Sequence, residues 1–238
     1  MGGIVDFHSH ILPGIDDGSK SVEESLALLR MEAEQGITHV VATPHFYPQH
    51  DTPERFLRRR KAAEEILRQA MEAESGLPEI FVGAEVYYFK GISNSDVMSE
   101  LTIDRKRYIL IEMPMPPWTE AMYRDLEGLY TKQSIIPIIA HLDRYIGRFR
   151  TFGIPKRLAQ LPVLVQANAE FFLQRSTAPM ALRMLKQEHI HLLGSDCHNL
   201  TSRKPNLGEA LKRIEKKLGD APLEWMRHWQ HEVLREEA

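Results

Sequence analysis

Short apolar segments recur along this chain, each bounded by turn-forming or charged residues, and they alternate with longer segments of helical periodicity. Apolar runs of this length are typical of buried parallel strands. We predict seven strands, at residues 4–7, 37–43, 80–84, 108–111, 135–140, 163–167 and 190–195. Helices are predicted at residues 21–36, 52–75, 119–132, 178–187, 206–218 and 222–235. The alternation predicts an α/β fold, a distorted seven-stranded (β/α) barrel similar to a TIM barrel, in one domain spanning residues 1–238.

Local signals mark the ends of several of these segments. The sequence Ser21-Val22-Glu23-Glu24 predicts a capping box, in which the side chains of Ser21 and Glu24 each accept a backbone N–H at the start of the helix. Gly36 is predicted to end that helix in the left-handed conformation. Pro53 suits the first position of the second helix. Three prolines within residues 113–118 predict a rigid loop over the rim of the barrel.

Histidine or an acidic residue follows six of the predicted strands. The carboxyl ends of parallel strands meet at one rim, so these side chains are expected to converge there. His8 and His10 are two residues apart and share a face, and Asp196 and His198 repeat this spacing. We predict a metal centre built from His8, His10, His45, His141, His198, Glu85, Glu112, Asp196 and one of Asp16 and Asp17.

The charges of this set indicate what it binds. Four converging carboxylates would repel one another without cations. Five imidazoles and four carboxylates are enough for two or three divalent ions, and the mixed donors favour Mn, Fe or Zn. Three such ions would make the loaded site net positive and suited to a phosphate anion. Arg144 and Arg203 lie on loops that leave the same rim, and we predict that they bind phosphate oxygens.

Composition and charge narrow the class of protein. The chain has 238 residues, of which 43% are hydrophobic and 26% are charged, as in ordinary globular domains. The net charge of −3 and the length of the apolar runs predict neither nucleic-acid binding nor membrane insertion. One cysteine and an N terminus without a basic segment predict a cytoplasmic protein. The apolar stripe of Leu26, Leu29 and Ala33 suits the core or a homo-oligomer contact, and the core is the simpler interpretation.

Two further motifs have competing interpretations. The basic run Arg58-Arg59-Arg60-Lys61 is interpreted as a solvated helix face or, alternatively, as a patch for an acidic partner. Cys197 and Arg203 have the Cys-x5-Arg spacing of cysteine-dependent tyrosine phosphatases, but no glycine lies between them. Cys197 also alternates with Asp196 and His198, so its thiol is expected to point away from the metals.

Together the motifs resemble the polymerase-and-histidinol-phosphatase (PHP) family of metal-dependent phosphoesterases. The Asp16-Asp17-Gly18 loop and Gly83-Ala84-Glu85-Val86-Tyr87-Tyr88 are most similar to its bacterial capsule-associated tyrosine-protein phosphatases. The other matching stretches are Asp6-Phe7-His8-Ser9-His10, Thr43-Pro44-His45, Leu110-Ile111-Glu112, Ile139-Ala140-His141-Leu142-Asp143-Arg144-Tyr145 and Ser195-Asp196-Cys197-His198-Asn199-Leu200. They occur in the family's order over nearly the whole chain.

The resemblance implies a trinuclear centre, often of manganese, and it selects Asp17 rather than Asp16 as the ninth ligand. It also implies that Arg144 and Arg203 contact phosphate. The implied substrate is phosphotyrosine on the tail of a cytoplasmic tyrosine kinase that controls polysaccharide export. Phe46, Tyr88 or Trp118 would then flank the phenyl ring of the substrate.

The leading hypothesis is a protein-tyrosine phosphatase in which a metal-activated hydroxide attacks phosphorus. One alternative is a small-molecule phosphatase acting on histidinol phosphate or a sugar phosphate, with the same fold and metals. Another is a metal-binding regulator without turnover.

Overall fold

The computed structural model describes residues 3–147 and 153–235. The strands in these residues are β1 (Ile4–Ser9), β2 (Ile37–Ala42), β3 (His45–Phe46), β4 (Glu79–Val82), β5 (Glu85–Tyr87), β6 (Tyr108–Glu112), β7 (Ile136–Ile139), β8 (Leu164–Asn168) and β9 (Leu192–Gly194). The helices are α1 (Val22–Glu34), α2 (Pro53–Met71), α3 (Met98–Leu101), α4 (Glu120–Gln133), α5 (Leu142–Tyr145), α6 (Ile154–Leu158), α7 (Ala169–Leu173), α8 (Ala178–Lys186), α9 (Leu207–Leu218) and α10 (Ala221–Leu234). Short 3₁₀ turns occur at Ile92–Asn94 and Ile103–Arg105.

The strands form a curled parallel sheet in an α/β fold. One part has the order β1-β2-β4 and the other has the order β3-β5-β6-β7-β8-β9. Every strand pair within these two parts is parallel. The first and last strands also meet, because Ser9 forms a parallel bridge with Cys197 and the Asp196 N–H donates to the His8 carbonyl at 2.7 Å.

After two of the seven predicted strands, a short break is followed by a further strand that was not predicted, β3 and β5, so the described residues contain nine strands rather than seven. Thr43 and Pro44 separate β2 from β3, and Pro44 has no N–H to give to a ladder. Gly83 and Ala84 separate β4 from β5. A Cβ on Gly83 would lie 3.1 Å from the Ile103 side chain, so the chain there passes close to its neighbour.

Close approach of β1 and β9 depends on a second glycine. A Cβ built on Gly194 would lie 2.4 Å from Cβ of His8 and 2.9 Å from its backbone nitrogen. Only glycine therefore fits at this position without displacing β1. The residues that follow Gly194 are thereby held against the strand that carries His8.

Both faces of the strands are buried, as their near-continuous apolar sequences predict. One apolar cluster contains alternate strand residues, among them Val5, Phe7, Leu110 and Ile138, together with the end of α10. The larger cluster fills the space between the strands and the helices. The Lys106 ammonium donates to the Leu234 carbonyl at 3.0 Å, which fixes α10 near the amino-terminal ends of the strands. That end is opposite the predicted site.

The helix ends follow the sequence signals with two differences. The side chain of Ser21 accepts the Glu24 N–H as predicted, but the Glu24 carboxylate accepts the N–H of Lys20 instead of that of Ser21. The predicted capping box is therefore only half formed. Gly36 has a φ of +81° after α1, as predicted, whereas α2 ends at Met71, before the predicted position. Within the described ranges, none of the helices has the length and apolar character needed to cross a bilayer.

Candidate metal centre

The structure brings all nine predicted donor residues together at the carboxyl-terminal rim of the curled sheet. His8 lies on β1 and His10 directly follows it, while His45 and Glu85 begin β3 and β5. The remaining donors end or follow later elements: Asp17 in the loop before α1, Glu112 at the end of β6, His141 after β7, and Asp196 and His198 after β9. The strand breaks before His45 and Glu85 therefore place two donors in the middle of the rim.

Glu85 occupies the centre of the cluster and is only 1% exposed. Its Oε1 lies 2.7 Å from Nε2 of His141. Its Oε2 lies within reach of three further rings: His45 Nδ1 at 2.9 Å, His8 Nε2 at 3.2 Å and His10 Nε2 at 3.4 Å. One carboxylate thus contacts four imidazoles, an arrangement suited to bridging two ions.

A second group of donor atoms contains His10, Asp17, His45 and His198. Asp17 Oδ1 lies 3.5 Å from Nε2 of both His45 and His198. Asp16 has a different place, because its Oδ2 lies 2.8 Å from His10 Nδ1 and accepts the His45 N–H. Asp17 therefore faces the donor group, whereas Asp16 orients the His10 ring from behind, as carboxylates commonly do for ligating histidines.

Asp196 and His141 reach the cluster through unusual backbone conformations. Their φ angles are +54° and +31°, in the left-handed region that non-glycine residues rarely adopt. The His141 N–H donates to Oε1 of Gln166 at 2.6 Å, which holds this turn. Oδ1 of Asp196 lies 3.5 Å from Nε2 of both His8 and His10. Such strain is typical of functional sites, where surrounding contacts maintain it.

The charges of the cluster favour ionised acids. Burial opposes ionisation of Glu85, but the surrounding histidines, His8 first, keep the pKa of its carboxyl well below the usual value. Burial and the neighbouring His10 lower the pKa of His198 to about 4, so this ring is neutral near pH 7. Burial disfavours protonation of His8, yet the Glu85 and Asp196 carboxylates raise its pKa. Buried anions beside a neutral imidazole are a suitable environment for cations.

Both predicted arginines lie at the mouth of the cluster, and each side chain is about 40% exposed. Arg144 forms an ion pair with Glu112, and its Nη2 lies 3.9 Å from Oδ2 of Asp196. Arg203 donates from Nη2 to Oδ1 of Asp196 at 2.8 Å. The two guanidinium groups therefore converge on the same carboxylate.

The basic run on α2 is in part structural rather than a solvated face. Arg60 is buried and donates to the carbonyls of Gly83 and Glu100 at 2.9 and 2.8 Å. Arg59 donates to the Ile15 carbonyl at 2.8 Å. These contacts hold the turn before Glu85 and the loop that carries Asp17.

Sequence reasoning assigned no role to two amides that connect the donors. Gln166 Oε1 lies 3.3 Å from His8 Nδ1, and Gln166 Nε2 donates to Asn168 Oδ1 at 3.0 Å. Asn168 Nδ2 in turn donates to Oδ2 of Asp196 at 3.0 Å. The signal that could have identified them is their position at the end of β8, where they alternate along a strand that itself carries none of the nine donors.

The aromatic residues expected to flank a substrate ring lie elsewhere. Phe46 is 1% exposed and packs on Phe56, and Tyr88 is buried with its hydroxyl on Asp125. Trp118 is buried against Tyr145, and its indole N–H donates to the Pro114 carbonyl. That prediction was wrong, because these side chains face the core. Two partly buried aromatic residues beside the cluster are Tyr47 and Tyr87.

Cys197 points away from the predicted ligands, as the alternation predicts. It is fully buried beside Asp6 and Glu32, on the far side of β1 and β9. Burial, together with these two acids, raises the pKa of the Cys197 thiol well above its ordinary value. A protonated and inaccessible thiol does not act as a nucleophile.

The cluster fits a set of divalent cations. Glu85 Oε2, His141 Nδ1 and His198 Nε2 are buried and have no hydrogen-bond partner among the described residues. Donor atoms that share one ion at about 2.1 Å lie roughly 3 Å apart, and the separations around Glu85 are of this size. The donors are imidazoles and carboxylates without a thiolate, a set that Mn, Fe and Zn accept.

Comparison with known proteins identifies the family to which this chain belongs. The family model described as capsular polysaccharide synthesis, CpsB/CapC, matches residues 4–230. The tyrosine-protein phosphatase CpsB of Streptococcus pneumoniae is 31% identical over 231 residues, which cover 91% of each chain. The tyrosine-protein phosphatase YwqE of Bacillus subtilis is 27% identical over 228 residues, covering 91% of this chain and 85% of YwqE.

The fold is shared with a solved structure. A chain from the crystal structures of Bacillus subtilis YwqE and Streptococcus pneumoniae CpsB, described as metal-dependent tyrosine phosphatases, superposes with a TM-score of 0.83. The match covers 99% of this chain and 96% of that chain at 23% identity. At this identity, the likeness establishes the curled parallel-sheet architecture.

Proposed function

Since this chain belongs to the CpsB/CapC family of capsular polysaccharide synthesis, we propose that it is a metal-dependent protein-tyrosine phosphatase. The observation that carries the proposal is the convergence of nine nitrogen and oxygen donors with two arginines at one mouth. The proposal is also supported by relatives that are named tyrosine-protein phosphatases and that match this chain over most of their length.

The proposed ligands are His8, His10, Asp17, His45, Glu85, Glu112, His141, Asp196 and His198. They are enough for two or three divalent ions, for which we propose manganese, with iron or zinc as alternatives. When bound, such ions supply Lewis-acid stabilisation of phosphoryl oxygens and lower the pKa of a water molecule. Three of them would give the site a net positive charge, which attracts a phosphate group.

The two arginines bind the phosphoryl group. Both guanidinium groups reach the carboxylate of Asp196, so their free N–H groups can donate to oxygens of one phosphate held beside it. Negative charge on the transferring oxygens strengthens these bonds as the ester bond breaks, which lowers the barrier. Asp16, Gln166 and Asn168 keep the donor side chains in place and therefore act as positioning residues.

The proposal extends to architecture and substrate. The curled sheet would close as a distorted (β/α)7 barrel, in which β1 meets β9 at the Ser9–Cys197 bridge. Residues 1–238 would form one domain. The substrate would be phosphotyrosine on the tail of a cytoplasmic tyrosine kinase of polysaccharide synthesis, and the enzyme would act in the cytoplasm. The family description and the relatives' names support this choice of substrate.

Elemental analysis combined with chelator-sensitive turnover tests the proposal. The purified protein is expected to contain two or three manganese, iron or zinc ions per chain. It is expected to hydrolyse a phosphotyrosine peptide, to lose this activity in chelator and to recover it with manganese. A higher kcat/KM for histidinol phosphate than for the peptide would indicate a small-molecule phosphatase. Retained metal without turnover of either substrate would indicate a metal-binding regulator.

A further inference from the structure

Two partly buried tyrosines border the donor cluster side by side. Tyr47 directly follows β3, and Tyr87 is the last residue of β5. These strands pair in parallel, with His45 opposite Glu85, so Tyr47 and Tyr87 come next to each other two residues later. Their ring centroids are 5.7 Å apart, and the ring planes are inclined by 47°.

The direction of the two rings follows from strand geometry. Residues two apart on a strand lie on the same face, so Tyr47 follows His45 and Tyr87 follows Glu85 on the face that carries the proposed ligands. The intervening Phe46 is buried in the core. The two tyrosines therefore continue the ligand-bearing face outward, toward the mouth.

Contacts place this aromatic pair beside Glu112, the acid that Arg144 also contacts. The Tyr47 hydroxyl lies 3.2 Å from His45 Nδ1 and donates to Glu112 Oε2 at 3.4 Å. Tyr87 is the register partner of Glu112 across β5 and β6. Arg144 forms an ion pair with the same Glu112. Because Arg144 and Tyr47 share this carboxylate, a phosphoryl group held by Arg144 would lie on the side of the cluster that the two rings border.

We propose that Tyr47 and Tyr87 form an aryl-binding wall that makes the site select phosphate esters of phenols over those of alkyl alcohols. This inference rests on the proposed function and deepens it. A phenyl ring beside the wall gains offset or edge-to-face contacts, which correspond to roughly two- to tenfold in affinity for one aromatic pair. An alkyl ester has no ring to make them.

Phosphonates test the wall without turnover. Calorimetry compares the binding of phenylphosphonate and methylphosphonate to the manganese-loaded protein. The wild-type protein is expected to bind phenylphosphonate about tenfold more tightly. Tyr47→Ala is expected to bring this affinity ratio close to one and to change the affinity for methylphosphonate little. Tyr47→Phe keeps the ring and is expected to keep the roughly tenfold ratio. Tyr130→Ala, at an exposed tyrosine of α4, is the matched control and keeps the ratio.

Kinetics supply a second measurement. With a phosphotyrosine peptide, Tyr47→Ala is expected to raise KM by up to about tenfold and to leave kcat nearly unchanged, because the lost contact binds ground state and transition state alike. Elemental analysis of each variant separates this effect from loss of metal. If Tyr47→Ala fails to fold or to retain metal, the ratio measured in Tyr87→Leu decides.

Three results would overturn the wall. The first is equal affinity of the wild-type protein for phenylphosphonate and methylphosphonate. The second is an equal loss of affinity for both phosphonates in Tyr47→Ala, which would make Tyr47 a positioning residue for His45 and Glu112. The third is an unchanged ratio in Tyr87→Leu when that variant decides. If the wild-type protein binds neither phosphonate and hydrolyses no phosphotyrosine, the proposed function itself fails, and the wall with it.

Discussion

Glu32 of α1 faces Asp6 of β1 in the interior, and both side chains are fully buried. Asp6 Oδ1 accepts the backbone N–H groups of His8 and Ser195 at 3.0 and 2.9 Å. Among the described residues, Asp6 Oδ2 and both carboxyl oxygens of Glu32 have no hydrogen-bond donor. Burial and the charge of Asp6 raise the pKa of Glu32 well above its ordinary value of 4.5. Burial raises the pKa of Asp6 as well, so we expect this pair to keep one proton in the folded protein.

This shared proton makes stability fall as the pH rises. The unfolded chain loses the Glu32 proton near its ordinary pKa of 4.5, whereas the folded chain keeps it. The stabilisation is therefore complete below that pKa and is lost as the pH rises toward the raised folded pKa. Within this window the pair lowers the free energy of unfolding by about 1.4 kcal/mol for each pH unit.

Glu32→Gln removes this dependence, because the amide donates to Asp6 without a titrating proton. The free energy of unfolding of Glu32→Gln, minus that of the wild-type protein, is expected to increase by about 1.4 kcal/mol per pH unit from about pH 5 upward. Urea denaturation of both proteins in chelator, followed by tryptophan fluorescence, measures the difference. Contributions from the titrating ligands occur in both proteins and cancel.

Glu34→Gln is the matched control, since Glu34 ends the same helix and is exposed. Its free energy of unfolding is expected to run parallel to that of the wild-type protein at every pH. Parallel curves for Glu32→Gln and the wild-type protein would refute the shared proton. A stability difference that decreases with pH would show that Glu32 is ionised in the folded state.

Three further predictions concern the site. Arg144→Ala is expected to retain metal but to lower kcat on a phosphotyrosine peptide by about 10²- to 10³-fold. Arg124→Ala, at an exposed arginine, is the control, and an unchanged kcat in Arg144→Ala would exclude a catalytic role for Arg144. Glu85→Gln is expected to lose metal in elemental analysis, because Glu85 contacts four histidines, and full metal content would contradict its central role. Cys197→Ser is expected to stay within about twofold of wild-type activity, and inactivation would revive a thiol mechanism.

The positions of the donors were predictable because strand ends carry positional information. Parallel strands that are buried on both faces place the residues after them at one rim, whatever their separation in sequence. His8 and Asp196 are an example, since 188 positions separate them and their side chains lie 3.5 Å apart. The end of α1 at Gly36 and the direction of the Cys197 side chain, away from the donors, followed from equally local rules.

Side-chain direction beyond the strand breaks was not predictable in the same way. Phe46 and Tyr88 were expected at the mouth, but the breaks at Pro44 and Gly83 restart the alternation and turn both into the core. The same restart brings Tyr47 and Tyr87 to the mouth. Alternation is reliable only when the first residue of a strand is known, and backbone breaks of this kind depend on contacts with distant segments.

The amino-acid sequence by itself determined the alternation of strands and helices, the chemical identity of the donors and the rim on which they meet. These follow from apolar periodicity and strand polarity, which are local properties. The spacing left Asp16 and Asp17 open, and the family resemblance selected Asp17. Only the tertiary structure decided that Asp16 supports His10 from behind, that Gln166 and Asn168 connect His8 to Asp196, and that Glu32 meets Asp6. Such contacts join residues far apart in sequence, and their geometry is set by how the strands and helices pack together.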